Sequence, residues 1–278
     1  MNQLKSAFRR HLIPSAVAVA LAALVSACGG ASPPSEVAER PAEELYNEAM
    51  DLLLDELPVH AALKFDEVER QHPYSVWAVK AQLMAAYSHY KMNQYDRAIP
   101  ALDRFIQLHP GSRDAPYAYY LKALSYYERI TDVGRDQDMT NKALKALQEV
   151  MRRYPESKYA RDARLKIDLT YDHLAGKQME IGRFYLMRGH HLAAINRFRT
   201  VVEQYQTTSH VPEALLRLTE AYLALGVTDE AQTAAAVLGY NFPGSEWYID
   251  SYTLMTGAQL RPRENKRSWI SRAWNSIF

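Results

Sequence analysis

From Pro41 onward, apolar and alanine positions recur with helical period in blocks closed by Gly, Asn, Asp or Pro, and no stretch alternates with the period of a strand. The pattern predicts an all-α chain. The blocks come in pairs that resemble one another at a fixed interval. His72-Pro73-Tyr74-Ser75 and His109-Pro110-Gly111-Ser112 lie 37 residues apart, and Ala78, Ala86 and Tyr90 align with Ala115, Ala123 and Tyr127. A period of that length marks a solenoid, in which each unit buries its apolar face only against its neighbours. Each proline stops a helix, and the serine after it is the expected N-cap of the next.

These units resemble tetratricopeptide repeats. In that motif small residues let the two helices of a hairpin approach, a bulky residue fills the gap beside them, and a proline ends the second helix. The first repeat, from Ala42, supplies Ala49, Ala61, Phe65 and Pro73; the second, from Val79, supplies Ala86, Tyr95, Ala98, Leu102, Phe105 and Pro110. The third carries an insertion around Asp132 to Asp138, a loop by composition, before Ala143, Leu147, Val150 and Pro155. After Ser157 the helical pattern runs unbroken to Arg188, giving a first helix in repeat four about twice the usual length; Gly189, Ala194, Phe198 and Val201 restore the register. Gln206-Thr207-Thr208-Ser209 replaces the expected proline, so side-chain capping must end that repeat. Repeat five gives Gly226, Ala231, Leu238 and Pro243, and a helix from Ser245 to Gly257 is expected to cap the open end. The expected fold is an α-solenoid of about five such hairpins with a C-terminal capping helix.

The segment before Pro41 has another character. Lys5, Arg9 and Arg10 precede an apolar run from Ile13 to Ser26, too short to span ~30 Å of hydrocarbon as a helix and suited to an export signal. Val25-Ser26-Ala27-Cys28 resembles a bacterial lipobox, in which the cysteine is lipidated and becomes the first mature residue; an ordinary signal peptide with an incidental Cys is the alternative. Gly29 and Gly30 follow, not the aspartate that marks inner-membrane retention in such lipoproteins, so the expected address is the periplasmic face of the outer membrane. Several acyl chains at ~0.8 kcal/mol per buried methylene hold essentially for good. The Gly/Pro/Ser/Glu stretch to Pro41 reads as a flexible tether.

Charge and chemistry narrow the function. A net charge of +1 gives no reason for a nucleic-acid partner, and a single cysteine leaves no disulfide, so packing must stabilise the fold. No Gly-x-Ser-x-Gly, His-Glu-x-x-His or Walker-type glycine loop is present, which points to a non-enzymatic chain without catalytic residues. No cofactor is expected beyond the lipid on Cys28. His190 and His191 are adjacent at a helix turn and point apart, and Asp132, Asp136 and Asp138 lack calcium-loop spacing, so no metal site is expected. His72 and His109, at helix C-termini, read as dipole caps.

Nineteen tyrosines are the notable inventory. Tyr46 and Met50, then Lys80, Leu83, Tyr87 and Tyr90, then Tyr117, Tyr120 and Tyr127 fall on the first helices of the hairpins, where repeats of this type face a concave groove. Tyrosine offers apolar area with a hydroxyl handle, which suits capture of an extended peptide; packing against the neighbouring repeat is the equally weighted alternative. Beyond Arg261-Pro262-Arg263-Glu264-Asn265-Lys266-Arg267, the residues Trp269, Ile270, Ala273, Trp274, Ile277 and Phe278 recur with helical spacing. This basic tail, with Trp269 and Trp274 as anchors, suits a membrane surface or a partner's groove, and a frayed end is the third reading.

The combination of lipobox, tether, repeats, insertion and long helix resembles the BamD family of lipoproteins, part of the machine that folds β-barrels into the bacterial outer membrane. Ile99-Pro100-Ala101-Leu102-Asp103-Arg104-Phe105-Ile106-Gln107-Leu108-His109-Pro110, Arg135-Asp136, Tyr154-Pro155-Glu156-Ser157-Lys158-Tyr159 and Arg188-Gly189-His190-His191-Leu192-Ala193-Ala194-Ile195-Asn196-Arg197 carry the resemblance. Gln137, where the family usually has Pro, and the basic tail depart from it. The resemblance implies that the C-terminal repeats bind the periplasmic domain of BamA, with Arg197, Asn196 and Arg188 at the contact, and that the N-terminal groove takes unfolded outer-membrane β-barrel proteins. Accessory Bam lipoproteins are further implied partners. The expected organisation is a signal peptide (1–27), lipidated Cys and tether (28–41), an N-terminal half with repeats one to three (42–155), a C-terminal half with repeats four, five and the cap (156–258), and the tail (259–278). A pilotin-like or cell-division lipoprotein built on similar repeats, or an enzyme acting on peptidoglycan, are the competing readings.

Overall fold

The computed structural model describes residues 40–257, and within them every regular element is a helix. Five hairpins follow in order: α1 (Ala42–Leu54) with α2 (Pro58–Gln71), α3 (Val76–Lys91) with α4 (Tyr95–Leu108), α5 (Ala115–Tyr127) with α6 (Asp138–Arg153), α7 (Lys158–Met187) with α8 (His191–Gln204), and α9 (Val211–Ala224) with α10 (Thr228–Asn241). A final helix, α11 (Glu246–Thr256), packs on α9 and α10. First helices touch the first helices of adjoining repeats (α1 on α3, α3 on α5, α5 on α7, α7 on α9), whereas no second helix touches the next second helix among the described residues. The first helices therefore form the inner, concave wall of a stack of hairpins, the α-solenoid of tetratricopeptide repeats.

Small and large residues alternate as this packing requires. Ala61, Ala98, Ala143, Ala194 and Ala231 occupy equivalent places on the second helices, and all five are fully buried. Four residues on stand Phe65, Leu102, Leu147 and Phe198, also fully buried, each filling the gap beside its alanine. Without a Cβ larger than a methyl at the first place, the helices approach closely enough for the second side chain to seal the hairpin. Ala49, Ala86 and Gly182 supply the matching small residue on the first helix.

The helix boundaries follow local chemistry. Ser75, Ser157 and Ser245 are N-caps whose side chains accept from the backbone N–H of Trp77, Ala160 and Tyr248. Ser112 departs from this expectation: α5 is capped at Asp114, with Pro116 in its first turn, and the Ser112 hydroxyl accepts from Asp114 N instead. At the end of α8 the Thr208 hydroxyl donates to Tyr205 O at 2.8 Å, and Ser209 donates from N and Oγ to Asp172 Oδ1. Side chains replace the proline there, in part through a partner on α7. His72 and His109 do close α2 and α4, but their imidazoles reach Arg40 O and Gln82 Oε1, so tertiary hydrogen bonds anchor them as well as any dipole.

The long helix joins the two halves. Ala163 and Ile167 belong to the core shared with α5 and α6, whereas Ala175 and Met179 belong to the core shared with α8, α9 and α10. Packing therefore has no seam at residue 156; the transition falls inside α7. The insertion between α5 and α6 lies against this helix: Lys177 Nζ donates to Gly134 O at 2.8 Å, and Val133 sits beside Gly176. Gln137 staples the loop by donating to Val133 O and Arg135 O, which a proline could not do. Asp132 and Asp136 are exposed in the loop, and Asp138, also exposed, opens α6 and pairs with Lys142.

Candidate functional site

The concave wall of repeats two to four carries a band of tyrosines. Tyr87 stacks with Tyr90 at 6.4 Å between ring centroids and meets Tyr117 on the next repeat at 6.4 Å. Tyr117 and Tyr120 in turn lie 5.5 and 5.2 Å from Tyr159, at the start of α7. The rings of α3, α5 and α7 thus form one ladder at the spacing that favours offset and tilted aromatic pairs. Each ring stays half-buried, so packing between repeats and an open face coexist.

The hydroxyls are held by acidic partners. Tyr120 donates to Asp162, which also pairs with Lys166 at 3.1 Å, and Tyr90 is 3.5 Å from Glu128. Burial, with Glu128 and adjacent rings adding to it, pushes the Tyr90 hydroxyl up to about 12. Burial also raises Tyr117 and Tyr120, the latter further through its bond to Asp162. Partial burial alone would raise Asp162, but hydrogen bonds from Tyr120 and Lys166 outweigh it and hold the carboxyl below its ordinary value. Tyr90, Tyr117 and Tyr120 are therefore held neutral, and the carboxylate beside Tyr120 is compensated by Lys166.

Not every expected groove residue joins it. Leu83 is only 5% exposed and packs in the core between repeats two and three, so it offers no surface to a ligand. It lies one turn before Tyr87 on the same face of α3, at a level where the neighbouring repeat covers it. Tyr46 forms a separate aromatic group, 5.5 Å from Phe65 and 5.0 Å from Trp77, with the Lys80 ammonium 4.5 Å over the Trp77 ring. Tyr127 sits under Lys166 at 5.4 Å, apart from the ladder. Trp77 and Tyr159 belong to these groups although the tyrosine pattern of three first helices does not point to them. Both stand two residues after the N-cap serine of a first helix, which is the signal that could have found them.

The second candidate surface is on α7 and α8. Arg197 is half-buried, and its Nη1 donates to Gln178 Oε1 at 3.2 Å; no acidic side chain pairs with it among the described residues. Asn196 is exposed, with its carbonyl accepting from Thr200. Arg188 is exposed at the end of α7, its guanidinium 4.2 Å over the Phe184 ring. Because Arg197 is level with Gln178, Arg188 lies ~15 Å away along the helix axis at 1.5 Å per residue. The three residues flank a strip; they do not converge on one cleft. Exposed Phe184, Met187 and Leu192 make the Arg188 end of that strip apolar.

Among the described residues no group of His, Cys, Asp and Glu could hold a metal, and no helix is long and apolar enough to cross a membrane. Cys28, Trp269 and Trp274 lie outside the described residues.

Fold and surfaces together define a tetratricopeptide-repeat protein with an aromatic inner wall and an arginine-bearing strip on its fourth hairpin. Comparison with known sequences then gives the family: residues 38–238 match the YfiO family of outer membrane lipoproteins, and the chain belongs to it. Curated relatives carry the name outer membrane protein assembly factor BamD. That of Caulobacter vibrioides is 55% identical over 247 residues, covering 88% of this chain and 81% of the relative, and that of Rickettsia prowazekii is 48% identical over 219 residues, covering 79% and 87%. Among solved structures, a thermophilic tetratricopeptide-repeat protein of Thermus thermophilus aligns with 78% of this chain and 98% of its own at 17% identity and a TM-score of 0.37. Family membership decides among the repeat-lipoprotein readings that the motif alone left open.

Proposed function

We propose that this chain is a non-catalytic scaffold of outer-membrane protein assembly, held to the periplasmic face of the outer membrane by lipid on Cys28, that grips BamA with one surface and unfolded β-barrel clients with another. The relatives' shared name supplies the process, and the tyrosine ladder is the observation that supports a grip on extended polypeptide. A client segment lying along the concave wall would set apolar and aromatic side chains on half-exposed rings, while hydroxyls at the rim exchange hydrogen bonds with its backbone. Recognition of that kind tolerates varied sequences because area and backbone contacts, not a fixed side-chain code, provide the affinity.

Arg197 is the proposed charged contact with the periplasmic domain of BamA. Its fork is only partly used by Gln178, which leaves N–H donors for a carboxylate. Loss of one side of a desolvated charge pair costs ~2–5 kcal/mol, so charge reversal should abolish capture. Two variants separate the surfaces. Arg197→Glu is expected to melt like the parent yet fail to co-purify BamA from detergent-solubilised outer membranes. Tyr87→Ala with Tyr120→Ala is expected to retain BamA and lose crosslinking to peptides from client C-termini. Parental yields in both experiments would overturn the proposal.

A further inference from the structure

The C-terminal hairpins hold a cavity of about 340 Å³ between α8 and α10, floored by Leu215, Leu218 and Tyr222 of α9. Val202 and Val237 form its walls, and its rim is acidic. Glu203 is paired with Arg199 at 2.7 Å, but Asp229 and Glu230, in the first turn of α10, have no ion-pair partner among the described residues. An apolar slot beside two carboxylates that have the α10 N-terminus but no cationic side chain to offset them fits a cationic, aromatic segment better than a neutral or acidic one.

The chain itself supplies one. Residues 258–278 follow α11 and carry Arg261, Arg263, Lys266, Arg267 and Arg272 against a single acidic side chain, Glu264. Trp269, Ile270, Ala273, Trp274, Ile277 and Phe278 share one face at helical spacing. The topology delivers this segment to the correct end of the slot. Tyr248 packs against Gly239, so α11 runs antiparallel to α10, and this register brings Gly257 level with Glu230. Ser251, hydrogen-bonded to Thr219 at 3.4 Å, fixes the same register against α9. From there only the tip of α10 separates Gly257 from the mouth, a helix ~10–12 Å across. The stretch from 258 to 267 reaches ~33 Å when extended, which is ample.

We propose that the slot between α8 and α10 is the docking site of this chain's own segment Ser268–Phe278, with an indole seated against Val202, Tyr222 and Val237 and the basic residues beside Asp229 and Glu230. The groove is then covered by its own chain until something competes for it, and the two halves of the contact are an aromatic ring in an apolar slot and a charge pair at its edge. The charge pair makes the contact weaken with salt, because the carboxylates are exposed.

The test is site-specific photo-crosslinking of the full-length lipoprotein in detergent, with a benzophenone amino acid in place of Val237 and the product mapped by peptide mass spectrometry. The expected product has the mass of a monomer and joins position 237 to residues 268–278. Trp274→Ala, which lies outside the folded repeats, and Asp229→Lys with Glu230→Lys should each lower its yield by about tenfold, the ratio set by one seated aromatic or two reversed charges. A product at dimer mass joined to the tail of a second copy, no product within the tail, or a yield unchanged by either variant would overturn the proposal. So would a tail that floats with vesicles of anionic lipid and crosslinks to position 237 neither with nor without them.

Discussion

Gly182 faces Phe198 across the interface of α7 and α8, and the effect of giving it a methyl group can be worked out from distances. A Cβ built at Gly182 would lie 2.4, 2.8 and 2.9 Å from three ring carbons of Phe198, against ~3.5–4.0 Å for carbons in favourable contact. The ring cannot swing away, because Phe198 is fully buried in the core shared by α7, α8, α9 and α10. Overpacking of a dense core costs ~1–3 kcal/mol, and a clash of this depth belongs at the upper end. Alanine recovers ~1 kcal/mol over glycine in helix propensity, leaving a net loss of about 2 kcal/mol for Gly182→Ala. For a chain of this size that lowers the melting temperature by ~4–8 °C. The first hairpin holds Ala49 beside Phe65 at the equivalent places, so the loss comes from the ring placement and helix spacing of the fourth hairpin and not from the repeat pattern. Thermal unfolding followed by far-ultraviolet circular dichroism measures it. Repeating the substitution in a Phe198→Leu background should remove the penalty, since contacting sites couple. If Gly182→Ala melts at or above the parent temperature, the close approach of α7 and α8 is wrong.

Leu147→Ala empties a fully buried place between α5, α6 and α7 and should cost ~2–5 kcal/mol, read as a lower urea midpoint with unchanged slope; a loss under ~1 kcal/mol would mean that this hairpin collapses to fill the void. Alkaline pH gives an independent check on the ladder. Tyr90 titrates at about 12 when folded against 10.0 when free, mainly through burial, and Tyr117 and Tyr120 are also raised. The unfolded chain therefore releases these protons first, so their stabilisation is complete below pH 10 and declines as pH rises through about 12. Urea midpoints should fall across that window, and less steeply in a Tyr90→Phe, Tyr117→Phe, Tyr120→Phe variant; equal slopes would rule out the buried hydroxyls as the cause.

Periodicity determined the helices, and the resemblance to tetratricopeptide repeats their pairing. A 3.6-residue recurrence broken by Pro, Gly and capping Ser is a local signal, and the resemblance to tetratricopeptide repeats then implies one role for Ala61, Ala98, Ala143, Ala194 and Ala231, all of which are fully buried. The doubled length of α7 was legible for the same reason: no proline falls within residues 158–187, and the helical recurrence runs on through Gly176 and Gly182. The site was legible only in part. Tyr87, Tyr90, Tyr117 and Tyr120 meet on one wall, but Leu83 is drawn into the core and Tyr46 and Tyr127 stand apart, because a helical stripe of sequence does not say how far each turn is rotated toward its neighbour. That α7 belongs to two cores, that Asp172 and Lys177 hold a turn and a loop 37 and 43 residues away, and that Gly182 must stay small were decided by the stack. Local chemistry writes each hairpin into the chain; which faces remain open follows only when neighbouring hairpins have covered the rest.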